Sequence, residues 1–121
     1  MPIPLLICDD SNMARKQVRK ALPASWEVDV SSATNGREGL QAIREGRGEV
    51  VFLDPTMPEV DGYEVLQKIR EEGLKCFVIV ISADTRPEAR ARVMKEGALA
   101  FIKKPINGER LMEVLRGSGL I

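Results

Sequence analysis

The sequence predicts an open, doubly wound α/β fold built as a (βα)5 series. Five short apolar runs of strand length recur along the chain, segments of helical period lie between them, and glycine, proline and capping residues punctuate the junctions. Near-continuous apolar runs suit strands covered on both faces, as a parallel sheet between two helix layers requires. At 121 residues, 44% hydrophobic and 30% charged, the chain has the size of one compact domain spanning residues 1–121. Residues 117–121, rich in glycine and serine, read either as a natural end or as the start of a linker.

The first strand is predicted over Ile3 to Cys8, and Ala14, Val18, Ala21 and Leu22 follow at helical spacing behind Ser11, which suits an N-cap. Val28 to Ser31 is the second strand, with Leu40 and Ile43 on the next helix and Gly46 just past its end. The third strand, Val50 to Leu53, precedes a helix carrying Leu66 and Ile69 and closed by Gly73. Phe77 to Ile81 is the fourth, followed by Pro87 near a first helical turn, by Ala89, Val93 and Met94 as the apolar positions, and by Gly97. Leu99 to Ile102 is the fifth, and Asn107 caps a last helix marked by Leu111, Val114 and Leu115.

Composition narrows the function. Lysine plus arginine balance aspartate plus glutamate at 18 each, so no long-range positive field gathers nucleic acid or anionic lipid. The longest apolar runs, such as Val78-Ile79-Val80-Ile81, fall far short of the ~20 residues of a membrane span. The start lacks the basic region of a secretion signal, and a cytoplasmic setting is the expectation. Cys8 and Cys76 lie next to or inside apolar segments, where a free thiol packs as a small hydrophobe, and no disulfide is expected. With no histidine and no paired cysteines, any metal should be a hard ion bound by oxygen.

In an open α/β sheet, polar chemistry collects at the carboxyl ends of the strands. Asp9 and Asp10 follow the first strand and Asp54 follows the third. Carboxylates held together repel one another unless a cation offsets them, and Mg²⁺ takes one or two carboxylates with waters and a phosphate. The same Asp9-Asp10 pair also reads as an acidic turn favoured at a helix N-terminus. Lys103-Lys104-Pro105 leaves the fifth strand, where only one lysine can turn inward, although a solvated basic turn has the same composition. Ser82-Ala83 at the fourth exit adds a hydroxyl. Together these supply a nucleophilic carboxylate, metal-binding acids, a cation and a donor, the parts of a phosphoryl-transfer site.

Asp9-Asp10-Ser11, Asp54-Pro-Thr-Met-Pro-Glu-Val-Asp-Gly, Ser82-Ala83 and Lys104-Pro105, in this order and spacing, resemble the markers of CheY-like receiver domains of two-component response regulators, over essentially the whole chain. The resemblance implies a flavodoxin-like sheet of strand order 2-1-3-4-5 and makes Asp54 the phosphoacceptor. It implies Mg²⁺, or Mn²⁺ in its place, held by the side chains of Asp10 and Asp54 and the backbone carbonyl of Thr56, with Asp9 supporting the metal's water shell. It further implies that Lys104 contacts the phosphoryl group through a turn with a cis Lys104–Pro105 peptide. Ser82, beside the small Ala83, would bind a phosphoryl oxygen, and Phe101 would be an aromatic switch that turns inward, although ordinary core packing also suits a strand phenylalanine.

The implied partners are a sensor histidine kinase or phosphotransfer protein and a downstream target protein or fused output domain, reached through helix four, strand five and helix five. The resemblance implies neither nucleic-acid nor membrane binding by this domain, and no enzyme activity beyond its own phosphorylation and dephosphorylation. Met57-Pro58 and Asp61-Gly62 are expected to shape the loop after Asp54, Gly62 through a permissive backbone. Pro55 departs from the family's usual aliphatic residue, fixing φ and removing a backbone donor beside the carboxylate. Phe101 lacks the hydroxyl of the commoner tyrosine, and Thr56 and Asp84 stand where the family tunes phosphoryl lifetime. A metal-dependent phosphohydrolase would need a substrate-closing cap, for which no residues remain. An interaction module that takes no phosphate is disfavoured by the intact acids, hydroxyl and lysine.

Overall fold

The computed structural model describes residues 2–121. Among these, five strands and five helices alternate: β1 (Ile3–Cys8), α1 (Asn12–Ala21), β2 (Val28–Ala33), α2 (Gly36–Arg44), β3 (Val50–Leu53), α3 (Gly62–Glu72), β4 (Phe77–Ser82), α4 (Pro87–Lys95), β5 (Ala100–Lys103) and α5 (Gly108–Gly117). All strand pairings are parallel, and the sheet order is β2-β1-β3-β4-β5. The (βα)5 doubly wound expectation holds.

Strand edges move slightly. β2 runs on to Ala33 and β4 to Ser82 because their ladders continue against Cys8 and Lys103. β5 starts one residue later than its apolar run suggests; Leu99 donates its N–H to the Val78 carbonyl at 2.8 Å but is 36% exposed, leading into the strand rather than filling the core.

Alternation of side chains splits the core in two. One layer holds Leu5, Ile7, Val50, Phe52, Ile79, Ile81 and Ile102 with Val18 of α1 and Leu111 and Leu115 of α5. The other holds Leu6, Cys8, Val51, Leu53, Val78, Val80 and Phe101 with residues of α2, α3 and α4. Side-chain caps start four of the helices: Ser11, Asn35, Asp61 and Asn107 accept backbone N–H groups of the first turns of α1, α2, α3 and α5. The α4 start, at Arg86, has no side-chain cap, and Pro87 occupies its first turn. That helix buries only Ala89 and Val93; Met94, expected on its apolar face, is 40% exposed, because the buried stripe is one residue wide per turn.

Two glycines are needed for close approach. A Cβ on Gly36 would overlap the Val60 carbonyl, and one on Gly62 would lie 2.7 Å from the Asp54 carbonyl oxygen and strike Pro55. The role of Gly62 is thus steric clearance for the loop behind Asp54 rather than unusual φ, since its φ is not positive. Within that loop the left-handed position is Glu59, at φ 64°, with Arg37 Nε 3.4 Å from its carboxylate.

Candidate functional site

Three strand exits meet at one end of the sheet. β1 ends at Cys8 and β3 at Leu53, which are register partners, so Asp9 and Asp54 emerge side by side, and the Asp54 N–H donates to the Cys8 carbonyl at 3.0 Å. Carboxylate oxygens of Asp9, Asp10 and Asp54 all lie within 4.8 Å of one another. Asp9 and Asp54 are buried, at 5% and 7% exposure, while Asp10 is exposed. β5 delivers the cation: Lys104 Nζ stands 2.9 Å from Asp9 Oδ2 and 3.2 Å from Asp54 Oδ2, whereas Lys103 is exposed. Lys104 follows the strand, its N–H bonded to the Ser82 carbonyl at 2.8 Å, and the Lys104–Pro105 peptide is cis.

Each of the two buried acids is held by the backbone that follows it. Asp9 Oδ1 accepts the Ser11 N–H at 2.9 Å, and Asp54 Oδ1 accepts the Thr56 N–H at 3.0 Å. The donor beside Asp54 therefore comes from residue 56, and Pro55, which has none to give, is buried with its carbonyl accepting the Gly62 N–H at 3.0 Å. Arg15 reaches back from α1 to donate to the Asp9 carbonyl at 2.6 Å, a contact that sequence spacing did not single out.

The electrostatics follow from this crowding. Burial pushes the Asp54 carboxyl above its ordinary value, the Asp9 charge adds to the rise, and the Thr56 N–H and Lys104 oppose it. Burial pulls the Lys104 ammonium down, but the hydrogen bond to Asp9 and the charges of both acids outweigh it and raise its pKa. Cys8, behind the acids, is pushed up to about 12 by burial and by Asp9 and Asp54, so it is an inert thiol packed 3.5 Å from the Met57 sulfur. Both cysteines are free.

At the β4 exit, Ser82 is 2% exposed and its Oγ accepts the Asp84 N–H at 3.0 Å. The Asp84 carboxylate is gripped by Arg86, through Nε at 2.9 Å and Nη2 at 2.7 Å. Phe101 lies one strand over, 8% exposed, in the cluster that includes Val80 and Val93. Ala83 is exposed, as is Thr56. The three acids with their oxygen-only donor set fit a hard divalent cation, and Lys104 is placed to offset charge on whatever Asp54 carries. This combination of a buried carboxylate, oxygen ligands and an ammonium can bind and transfer an anionic oxygen-rich group.

Residues 5–116 match the family model described as the response regulator receiver domain. Chemotaxis protein CheY of Listeria monocytogenes is 35% identical over 111 residues, covering 92% of this chain and 93% of that protein. The probable C4-dicarboxylate response regulator DctR of Bacillus subtilis is 34% identical over 112 residues, covering 92% of this chain. This chain spans only 50% of that DctR and 31% of a matched protein-glutamate methylesterase of Koribacter versatilis. Among solved structures, chemotaxis protein CheY4 of Vibrio cholerae superposes with a TM-score of 0.84 at 28% identity, over 98% of this chain and 99% of that one. A chain from the CheX-CheY-BeF3-Mg complex of Borrelia burgdorferi gives a TM-score of 0.86 at 28% identity, over 97% and 89% of the two chains.

Proposed function

Since the chain belongs to the response regulator receiver domain family of two-component signalling, we propose that Asp54 accepts a phosphoryl group in a reaction that requires a divalent metal. The single observation that carries this reading is the packing of the Asp9, Asp10 and Asp54 carboxylates within 4.8 Å with Lys104 against two of them. An Asp54 oxygen attacks phosphorus, the bond to the donor's leaving atom breaks, and an acyl phosphate forms. Asp10, Asp54 and the Thr56 carbonyl would hold Mg²⁺, or Mn²⁺ in its place, with Asp9 supporting its waters; when bound, the ion supplies positive charge to the transferring oxygens. Lys104, already within reach of Asp54 Oδ2, turns its ammonium to a phosphoryl oxygen.

The donor is a sensor histidine kinase or a phosphotransfer protein, and the setting is cytoplasmic; no helix among the described residues is long and apolar enough to cross a membrane. Phosphorylation draws the Ser82 hydroxyl, next to the small Ala83, onto a phosphoryl oxygen, and Phe101 and α4 reset the α4–β5–α5 face for a target protein or an output domain. Residues 1–121 act as one receiver domain that turns over no substrate besides its own phosphoryl group.

The test is intact mass after incubation with acetyl phosphate. A phosphoryl-sized gain that needs both Mg²⁺ and Asp54, and is lost in Asp54→Ala, supports the reading. No gain from acetyl phosphate or a kinase points instead to an interaction module that works through its surface alone.

A further inference from the structure

The β4–α4 loop closes on itself by hydrogen bonds that the phosphoryl chemistry does not by itself require. The hydroxyl of Ser82, buried at 2% exposure, has one hydrogen bond among the described residues, accepted from the Asp84 N–H. Asp84 Oδ1 in turn accepts the Arg86 backbone N–H at 3.1 Å, and both carboxylate oxygens take the Arg86 guanidinium. Arg86 is also the residue on which α4 begins: its carbonyl accepts the N–H groups of Ala89 and Arg90 at 3.1 and 3.2 Å. One arginine is thus tied at its tip to the loop that holds Ser82 and at its backbone to the first turn of α4, a turn lacking a side-chain cap.

From this geometry we infer that Arg86 is a positioning residue for Ser82, its two-pronged contact with Asp84 latching the β4–α4 loop in the geometry seen here and coupling that geometry to the start of α4. The inference rests on the phosphoacceptor reading of Asp54. In the latched loop the Ser82 oxygen faces the Asp84 amide and makes no bond to Asp54. On the phosphoacceptor reading Ser82 moves toward a phosphoryl group on Asp54, and whatever holds its oxygen on the Asp84 amide opposes that move. A planar guanidinium with two parallel N–H donors on one carboxylate is the arrangement in which an exposed ion pair has measurable strength. The Asp84 carboxyl, held at about 2 chiefly by its bonds from Arg86, keeps its charge across the physiological range, so the latch depends on the phosphoryl state and not on pH.

The experiment compares wild type with Arg86→Ala, Arg86→Lys and the pair Asp84→Asn with Arg86→Ala. The pair keeps net charge and leaves an acceptor for the residue-86 N–H, but deletes the two-pronged contact, which separates the latch from a change in local field. Amide exchange in the metal-free, unphosphorylated protein reads the latch directly: the N–H groups of Asp84, Ala89 and Arg90 are expected to exchange about threefold faster in Arg86→Ala and in the pair, with Arg86→Lys between, on the scale of one well-formed exposed pair. Acetyl phosphate with Mg²⁺ reads the consequence: both variants lacking the contact are expected to gain the phosphoryl group about threefold faster than wild type.

Unchanged exchange in Arg86→Ala overturns the latch. Faster exchange with a phosphorylation rate equal to wild type in the pair overturns the positioning role. Failure of wild type itself to gain a phosphoryl group, with exchange responding as expected, overturns the phosphoacceptor reading and leaves Arg86 as a loop tether only.

Discussion

Under α1 and α5 the sheet is sealed by Leu5, Ile7, Phe52, Ile79 and Ile102 against Val18, Leu111 and Leu115, none more than 3% exposed. On the other side α2 and α3 fit closely through Gly36 and Gly62, whereas α4 buries only Ala89 and Val93. Polar contacts complete the hold on α4: Arg92 lies 3.7 Å over the Tyr63 ring, and Arg70 pairs with Glu96 at 3.1 Å. Aliphatic burial is additive and insensitive to small displacements of charge, while exposed stacks and ion pairs contribute little each and exchange partners readily. One layer thus holds the strands that carry Asp9 and Asp54 by apolar burial, and the other holds the helix beside Ser82 with two buried side chains and polar contacts at its surface. The phosphoacceptor reading proposed above asks for this division, a stable frame beside a helix that can move.

The contrast breaks first at Leu111. Leu111→Ala should cost about 3–4 kcal/mol in chemical denaturation, as a large cavity in a sealed layer does, and Val93→Ala in α4 clearly less. Equal losses would mean that α4 is as firmly packed as α5. The next largest effect is expected at the site itself. Lys104→Met leaves two buried carboxylates without their cation and should cost about 2 kcal/mol in metal-free buffer, a figure discounted for the partial exposure of the lysine. Mg²⁺ should restore part of the loss, and denaturation with and without the ion reads both numbers.

A pH series sharpens the same point. Asp54 binds its proton more tightly in the folded state, chiefly through burial. Its contribution to stability is present below its ordinary pKa and lost as pH rises through the raised folded value. The stability of Asp54→Asn relative to wild type should therefore climb with pH over the acid range in metal-free buffer, and a flat difference would contradict the burial of that carboxyl. The smallest effect is expected at Arg92. Arg92→Ala should cost about 0.5–1 kcal/mol globally, yet raise amide exchange across α4 more than across α5.

Much of this was legible in the sequence because parallel-sheet strands buried on both faces leave continuous apolar runs, and because charged residues stand at the exits of the first, third and fifth strands. Asp9, Asp10 and Asp54 stand out on those grounds, Lys104 is preferred to Lys103 only through the resemblance to receiver domains, and the fold brings all four together. Sequence reasoning missed what depends on how elements approach one another. Arg15 folds back to the Asp9 carbonyl and Gly62 makes room for the Asp54 carbonyl, neither of which has a periodic signature. Met94 matched the helical period and still lies partly outside, because the buried stripe of α4 is limited to Ala89 and Val93. The grip of Arg86 on Asp84 has only an Asp-Thr-Arg spacing to announce it, common to many turns.

The most direct measurement of the phosphoacceptor assignment is chemical location of the phosphoryl group. After reaction with acetyl phosphate and Mg²⁺, borohydride reduction converts an aspartyl phosphate to homoserine, which peptide mass spectrometry assigns to one residue. Homoserine at residue 54, dependent on Mg²⁺, is the expected result; homoserine at residue 9 or 10 instead, or a phosphorylated protein with residue 54 still aspartate, would contradict it.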